Sequence, residues 1–343
     1  MTPDEAPVAV SPRPSPRSGA VKTFLLGNEF GLIVLIALFA GLFSAFTPGF
    51  SSPFNLFTLG RTMAIEIMIG FSMMVVIVTG GLNLAVGAIG VCAAMAGGWL
   101  MEKAGLPWLP GMLGGLAVGA ALGALNGVLI VRSGLHSFII TLATMSIYFG
   151  AVVFLTRAEA FRGIPPEVSA FGKQRLFFYL SPLLLVSAGV GLLLAALYRL
   201  TPLGRAMLAA GAKPAAAELS GIRVDRTIIA CHALSGLLAG VAAMMVVARN
   251  GAAIPSMAGH LGQDWLLTAF LGPVLGGTLL SGGRVSVLGT FLGSALVTML
   301  TNGLLQLRIG EFWVQACLGL LLLAAVLLDL ARRSVLAQRR APA

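Results

Sequence analysis

The chain has 343 residues, of which 58% are hydrophobic and only 10% are charged. That composition leaves too little polar surface to cover a water-soluble globule, so it excludes soluble enzymes, nucleic-acid-binding domains and disulfide scaffolds. The 44 glycines follow no period of three, and the long apolar runs do not alternate as barrel strands do. The formal charge of +10 comes from basic residues scattered between apolar runs, where they report membrane orientation. We therefore predict an all-α, polytopic membrane protein.

Apolar windows separated by glycine, proline or charge predict a bundle of about ten transmembrane helices. The predicted cores are Phe30–Phe46, Phe54–Thr79, Leu84–Met101, Trp108–Val131, Phe138–Leu155, Phe177–Leu197, Thr227–Val247, Trp265–Leu280, Val285–Leu305 and Phe312–Leu328. The second and eighth are the least regular, because Gly70 and the pair Gly272-Pro273 are able to interrupt a helix. The membrane domain therefore covers residues 30–330, between a disordered tail at 1–29 and a second tail at 331–343.

The positions of the basic residues favour a multi-pass protein of the cytoplasmic (inner) membrane with both termini in the cytoplasm. In that orientation fourteen basic residues lie inside: Arg13, Arg17, Lys22, Arg132, Arg199, Arg205, Lys213, Arg223, Arg226, Arg284, Arg332, Arg333, Arg339 and Arg340. The other eight lie outside: Arg61, Lys103, Arg157, Arg162, Lys173, Arg175, Arg249 and Arg308. This bias favours an even number of spans.

A polar loop at residues 198–226 joins the sixth and seventh predicted spans. Within it, Pro214 suits the first turn of a helix, and the alanines that follow are strong helix formers. Glu218 complements the helix dipole, and Gly221 supplies a stop. The pattern predicts one or two helical turns at the cytoplasmic surface, a shape that fits a groove on a partner protein. The alternative is a surface connector without a partner.

Glu66 lies inside the apolar run of the second span. A carboxylate there costs about 2.5 to 3.5 kcal/mol on insertion scales, so we expect it to face the bundle interior or water. One interpretation is a substrate-pathway group that accepts hydrogen bonds from hydroxyls. The alternative is structural: an ion pair, for example with Arg61, or a protonated carboxyl bonded to a neighbouring helix.

Amides and hydroxyls supply the other pathway candidates. An amide both donates and accepts hydrogen bonds, which suits a neutral polyol, and hydroxyls at helical spacing form a stripe on the fifth span. The alternatives are hydrogen bonds between helices for the amides and bonds to their own helix backbone for the hydroxyls. These candidates are Asn83, Asn126, Ser137, Thr141, Thr144 and Asn302.

The cysteines and histidines do not predict a metal site. Each cysteine stands alone in an apolar stretch, and no histidine has a carboxylate or cysteine at ligand spacing. These residues are Cys92, Cys231, Cys317, His136, His232 and His260. We predict that the chain binds neither a metal nor a cofactor.

Four stretches occur in the order found in the permease subunits of ribose-type and xylose-type ATP-binding cassette sugar importers. They are GGLNLAVGAIG, ALNGVLIVRSGLHSFIITLATMSIYFG, TPLGRAMLAAGAKPAAAELSGIRVDR followed by HALSGLLAGVAAMMVVAR, and LGGTLLSGGRVSVLGTFLGSALVTMLTNGLLQL. The chain resembles this family from about Asn55 to Asp329. The resemblance implies a type II-like permease that forms a homodimeric or pseudo-dimeric pore, and two cytoplasmic ATPase subunits. It also implies a periplasmic or extracellular sugar-binding protein.

The resemblance further implies that the loop helix couples the permease to its ATPases. The residues it assigns to coupling are Arg205, Gly211, Lys213, Pro214, Ala215, Ala216, Glu218, Ser220 and Gly221. The chain has no Walker A pattern: Lys173 alone among its lysines follows a glycine, and it lacks the other motif residues. We therefore expect partner subunits to hydrolyse ATP, and we expect no enzyme activity on this chain.

Two positions depart from the family pattern. Asn83 and Ala85 stand where family members commonly have an acidic residue and a serine. Near Asp264, the usual smooth apolar run is interrupted before Pro273. The sequence predicts import of a neutral pentose, hexose or related polyol, with lipid and protein partners but no nucleic acid. Three alternatives stay open: a branched-chain amino acid permease, an ion-driven transporter with Glu66 as the proton site, and a receptor or scaffold.

Overall fold

The computed structural model describes residues 28–177, 179–259, 262–308, 310, 312–323 and 327. Within those ranges the chain is helical and contains isolated β-bridges but no named strand. The helices are α1 (Asn28–Phe46), α2 (Pro53–Ile77), α3 (Val86–Glu102), α4 (Trp108–Ser133), α5 (Ser137–Thr156), α6 (Pro166–Lys173), α7 (Pro182–Leu200), α8 (Pro202–Ala212), α9 (Pro214–Leu219), α10 (Val224–Asn250), α11 (Asp264–Leu275), α12 (Val287–Gln306) and α13 (Phe312–Leu323). This architecture confirms the predicted helical bundle.

In the part of the chain that the structure describes, seven helices are long and apolar enough to cross a membrane: α1, α2, α4, α5, α7, α10 and α12. The shorter apolar helices α3, α11 and α13 raise the total to ten, the number of spans predicted from the sequence. Among the seven long helices, α2 and α10 have the largest buried shares, 72% and 61%, whereas the share is 28% or less in α1, α5 and α7. Large side chains on the peripheral helices, such as Phe154 and Leu192, are exposed and form the surface expected to contact lipid.

Close packing of α4 against α10 forms the centre of the bundle. Five buried glycines recur at every fourth position of α4: Gly111, Gly115, Gly119, Gly123 and Gly127. A Cβ atom added to Gly119 would lie 2.6 Å from the carbonyl oxygen of Gly236 on α10. One added to Gly123 would overlap the carbonyl oxygen of His232. The two backbones are therefore in direct contact, which is how small residues stabilise helix pairs in lipid.

Helix ends meet at two opposite sides of the bundle. On one side, which we call the junction side, the amide of Gly283 donates to the carbonyl of Val78 at 2.8 Å. On the other, which we call the mouth side, Phe161 and Ala253 exchange two backbone hydrogen bonds of 2.9 Å. The two contacts thus mark the two ends of the long helices.

Several predicted boundaries differ from the structure. The sixth span begins at Pro182 instead of Phe177, and residues 166–173, predicted to be loop, form α6. Gly70 does not break α2, and its lack of a side chain leaves room for the hydroxyl of Ser294 on α12. The eighth span ends at Leu275, before the predicted Leu280, two residues after the proline within α11.

The two predicted tails lie outside the described residues, except for Asn28 and Glu29, which begin α1. His260 and the end of the tenth predicted span beyond Leu323, apart from residue 327, also lie outside them.

Replacing Gly123 with alanine tests the central contact. The added Cβ would overlap the backbone of α10, and overpacking of this kind costs about 1 to 3 kcal/mol. We expect G123A to lower the unfolding temperature of the purified protein in detergent. The matched control is G150A on α5, because nothing lies within 4 Å of a Cβ at Gly150. A G123A protein as stable as G150A would contradict direct backbone contact.

Candidate functional site

A short non-helical segment, residues 80–84, interrupts the backbone between α2 and α3. Two side chains of α5 satisfy its amides: Leu82 donates to the Ser137 hydroxyl at 2.8 Å, and Leu84 donates to the Thr141 hydroxyl at 3.1 Å. The Thr141 hydroxyl also donates to the Ser137 carbonyl at 2.7 Å. These hydroxyls, predicted as pathway candidates, therefore replace backbone partners that lipid is unable to supply.

Asn83 lies at the centre of a buried polar network. Its Nδ2 donates to the Ser235 hydroxyl of α10 at 2.9 Å, and its Oδ1 accepts from the amide of Ala85 at 3.2 Å. Ser72 of α2 donates to the Ser235 carbonyl, also at 2.9 Å. The network ties α2, α10 and the segment at 80–84 together with neutral groups. An acidic residue here would place a charge in the same fully buried position.

The other candidate amides lie in separate places. Asn126 on α4 accepts a 2.7 Å hydrogen bond from the Tyr148 hydroxyl, and its buried Nδ2 has no partner. Asn302 on α12 exchanges 3.2 Å hydrogen bonds with Asn55 of α2. Thr144 bonds to the carbonyl of Thr141 in its own helix at 3.3 Å. The predicted pathway residues thus do not converge on one site, and contact with substrate stays a prediction.

Glu66 is half-buried on α2, where α10 and α11 approach it. The hydroxyl of Thr268 on α11 is a side-chain partner, and the guanidinium of Arg249 at the end of α10 interacts electrostatically with the carboxylate. Its Oε2 is buried and has no hydrogen-bond partner. Arg61, the ion-pair partner considered from the sequence, lies farther than 4.0 Å from the carboxylate oxygens. Glu66 is therefore a carboxyl group with unfilled hydrogen-bonding capacity.

Sequence reasoning missed two of these neighbours. Arg249 and Thr268 are far from Glu66 in the chain, and only the packing of three helices brings them together. The position of Arg249 could have indicated such a role, because a charged side chain at the end of a long run of small and apolar residues costs free energy unless it has a partner. Thr268 carried none.

The predicted loop helix is present as α9, and α8 precedes it. The hydroxyl of Thr201 caps α8 by accepting a 3.1 Å hydrogen bond from the amide of Gly204. After α9, Gly221 has a φ of +81°, a conformation that suits glycine at a helix end. Ala217 packs into a small cluster with Ala210 of α8, whereas Leu219 is 91% exposed. One face of α9 therefore packs against α8, and the opposite face is exposed.

A shallow cavity of about 240 Å³ lies beside α9. Its lining mixes both signs of charge with two aliphatic side chains: Glu218, Ile222, Arg223, Val224, Asp225 and Arg226. A lining that mixes charged and apolar side chains is suited to docking a protein segment, since the charges select the partner and its orientation.

Gly211, at the end of α8, connects this exposed region to the bundle. A Cβ atom there would overlap the carbonyl oxygen of Val78 at the end of α2 and lie 2.6 Å from the amide nitrogen of Gly283. A Cβ at Gly283 would in turn lie 2.7 Å from the Cα atom of Ala212. We call the meeting of Val78, Gly211 and Gly283 the glycine junction. It joins the α8–α9 region to α2 and to the turn before α12 by direct contact between backbones.

Comparison with known proteins identifies the family. Residues 52–327 match the family described as the branched-chain amino acid transport system / permease component. The chain belongs to this family. It is a multi-pass membrane protein of the permease type, and its curated relatives are transport subunits, not enzymes.

Three curated relatives illustrate the range. The chain is 34% identical to the ribose import permease of Bacillus subtilis (strain 168), over 89% of this chain and 92% of the relative. It is 31% identical to the D-allose transport system permease of Escherichia coli (strain K12), with the same coverage. It is 31% identical to the fructose import permease of Rhizobium meliloti, over 82% of this chain and 79% of the relative. No solved structure matches the chain significantly.

Removing the α5 hydroxyls tests the support of the segment at 80–84. We expect the double variant S137A/T141V to leave the amides of Leu82 and Leu84 without partners, at a cost of about 1 to 3 kcal/mol each. Hydrogen exchange followed by mass spectrometry should show faster exchange in this segment. The control is T156A, because Thr156 bonds only to its own helix, at the Val152 carbonyl. Unchanged exchange would contradict the assigned support.

Proposed function

We propose that the chain is the membrane-spanning permease subunit of an ATP-binding cassette importer for a monosaccharide or related polyol. ATP hydrolysis on separate cytoplasmic subunits drives the transport, and a periplasmic or extracellular binding protein delivers the substrate. The pore forms from two copies of the chain or from this chain and a relative, in the inner membrane with both termini cytoplasmic. The identities to ribose, allose and fructose permeases support a sugar substrate.

Family membership favours this proposal over an ion-driven transporter or a scaffold. The family description itself mentions branched-chain amino acids, and an amino acid carries one charge of each sign. The charged groups around Glu66 are not balanced in that way, because cations outnumber the single carboxylate. The charge balance thus argues against an amino acid, and the sugar-named relatives favour the sugar class.

The observation that carries the coupling mechanism is the glycine junction. Helix α9 has an exposed face suited to an ATPase groove, and α8 links it to Gly211. Because Gly211 touches the backbone of Val78 directly, a displacement of α8 and α9 has no side chain in between to absorb it. The displacement passes into the end of α2, the helix that carries Glu66. Rigid-body movement of this kind switches a packed bundle between two openings.

Charge reversal on α9 tests the contact with the ATPase. The chain is reconstituted in liposomes with its ATPase and binding protein, and uptake of radiolabelled ribose, xylose and galactose is measured with and without internal ATP. We expect E218R to reduce ATP-dependent uptake about tenfold or more, because like charges facing each other at an interface cost several kcal/mol. E159R, an equally exposed reversal on the mouth side, is the control.

Two results would count against the proposal. Uptake that ignores ATP and follows a proton gradient would rule out the importer class. Full activity of E218R together with ATP-dependent uptake would remove Glu218 from the ATPase contact and leave the importer class intact.

Replacing Gly211 tests transmission separately from docking. In G211A the new methyl group would overlap the Val78 carbonyl and force α8 away from α2. We expect the complex to assemble and hydrolyse ATP while uptake falls about tenfold or more, since the switch is no longer linked to the ATPase. The control is G189A on α7, where nothing lies within 4 Å of the added atom. Normal uptake by a stably folded G211A protein would rule out transmission through the junction.

A further inference from the structure

Three arginines from separate parts of the chain gather at the mouth side. Arg61 lies on α2, Arg175 follows α6, and Arg249 is in the last turn of α10. The guanidinium carbons of Arg61 and Arg175 both lie 5.0 Å from the centre of the Phe57 ring. Arg249 is within electrostatic range of Arg61. We call these three residues the arginine cluster.

A fourth cation lies close to the cluster. A Cβ atom built on Gly251, just after α10, would lie 3.7 Å from the Nζ atom of Lys173. Lys173 is the last residue of α6, two positions before Arg175. The mouth side therefore concentrates positive charge contributed by α2, α6 and α10.

No carboxylate of the described residues lies within 4.0 Å of these cations, and Glu66 interacts with Arg249 only over a longer distance. The single ion pair within 4.0 Å in the described ranges joins Lys103 to Glu102, outside the arginine cluster. Arg61 donates to the Gly172 carbonyl at 3.4 Å and has a buried Nε without a partner; Arg249 bonds to the neighbouring Asn250 side chain at 3.2 Å. Like charges repel strongly when they are partly withdrawn from water. The cluster is thus suited to an anion from outside the chain.

Glu66 lies deeper along the same helix. It follows Arg61 by five residues, which at 1.5 Å per residue corresponds to about 7.5 Å along α2. Arg249 interacts electrostatically with both Arg61 and Glu66, so it lies within range of both residues. The free Oε2 of Glu66 accepts hydrogen bonds, and the Thr268 hydroxyl beside it, which donates to the Trp265 carbonyl at 3.2 Å, offers its oxygen as a further acceptor. The arginines, which can bind an anionic group, thus lie nearer the mouth side than the oxygens of Glu66 and Thr268, which can accept hydrogen bonds from hydroxyl groups.

We propose that the arginine cluster and Glu66 form a recognition site for a polyhydroxy carboxylate, that is, a sugar acid of five or six carbons. Its carboxylate binds the guanidinium groups, and its hydroxyls bond to Glu66 and Thr268. The pairing of a guanidinium with a carboxylate is bidentate and charge-assisted, so it selects the acid over the neutral sugar. This inference rests on the proposed function as a sugar permease and narrows its substrate class.

The packing of α6 favours a small ligand over an inserted protein segment. The backbone of Gly172 lies directly against that of Ala248 and Arg249, so the end of α6 covers part of the cluster. Arg61 and Arg249 are half-buried and keep part of their surface exposed. A carboxylate reaches those surfaces with α6 in place, whereas a polypeptide would have to displace it.

The test measures binding to the intact permease–ATPase complex in nanodiscs. Binding of D-ribonate, D-ribose and L-leucine is followed by isothermal titration calorimetry. We expect ribonate to bind more tightly than ribose, and R61Q and R249Q each to weaken ribonate binding about tenfold while ribose binding changes little. R61K keeps the positive charge but lacks the planar guanidinium that forms two hydrogen bonds with a carboxylate. Its affinity for ribonate should lie between those of R61Q and the unchanged protein. The control is R157Q, an exposed arginine of the mouth side outside the cluster.

The outcomes separate this inference from the proposed function. Equal binding of ribonate and ribose would overturn the sugar-acid site, and so would arginine variants that leave ribonate binding unchanged. The proposed importer would still stand in either case if ATP drove the uptake of neutral ribose. Arginine variants that weaken capture of the binding protein but not of ribonate would also overturn it, and would assign the cluster to docking. Preferential binding of leucine would overturn the site and the sugar class together.

Discussion

A backbone that leaves the helical pattern within a membrane must find its hydrogen-bond partners inside the protein, and this constraint acts on the segment at 80–84. Its amides are satisfied by Ser137 and Thr141, and Asn83 anchors it to Ser235 of α10. Because these partners come from different helices, the segment holds α2, α5 and α10 in a defined relation.

Close contacts at glycines allow the packed helices to move together. Gly123 of α4 lies against the backbone of α10, and Gly211 of α8 lies against the end of α2 just before the segment at 80–84. Contacts between backbones have no side-chain rotamers to absorb a displacement, so a packed unit moves as a whole. The exposed α9, the glycine junction and the helix that carries Glu66 therefore form one continuous connection across the bundle.

Charge is distributed unevenly between the two sides. The junction side presents Glu218 beside a cavity of mixed charge, which suits a protein partner. The mouth side gathers Arg61, Arg175 and Arg249 with no described carboxylate within ion-pair distance, which suits a small anion. This difference between the two sides supports the proposed importer, in which a substrate enters at the mouth side and energy-supplying subunits act at the junction side.

The sequence by itself determined the membrane class, the ten apolar helices and the short helix at Pro214–Leu219, because these depend on local hydrophobicity, proline and glycine. It also drew attention to Glu66, since a carboxylate in an apolar run is costly wherever it packs. Tertiary structure alone decided what Ser137 and Asn83 bond to, and that Arg249 and Thr268 lie beside Glu66. Hydrogen bonds and charge pairs between distant segments depend on which helix faces meet, and no local pattern records that.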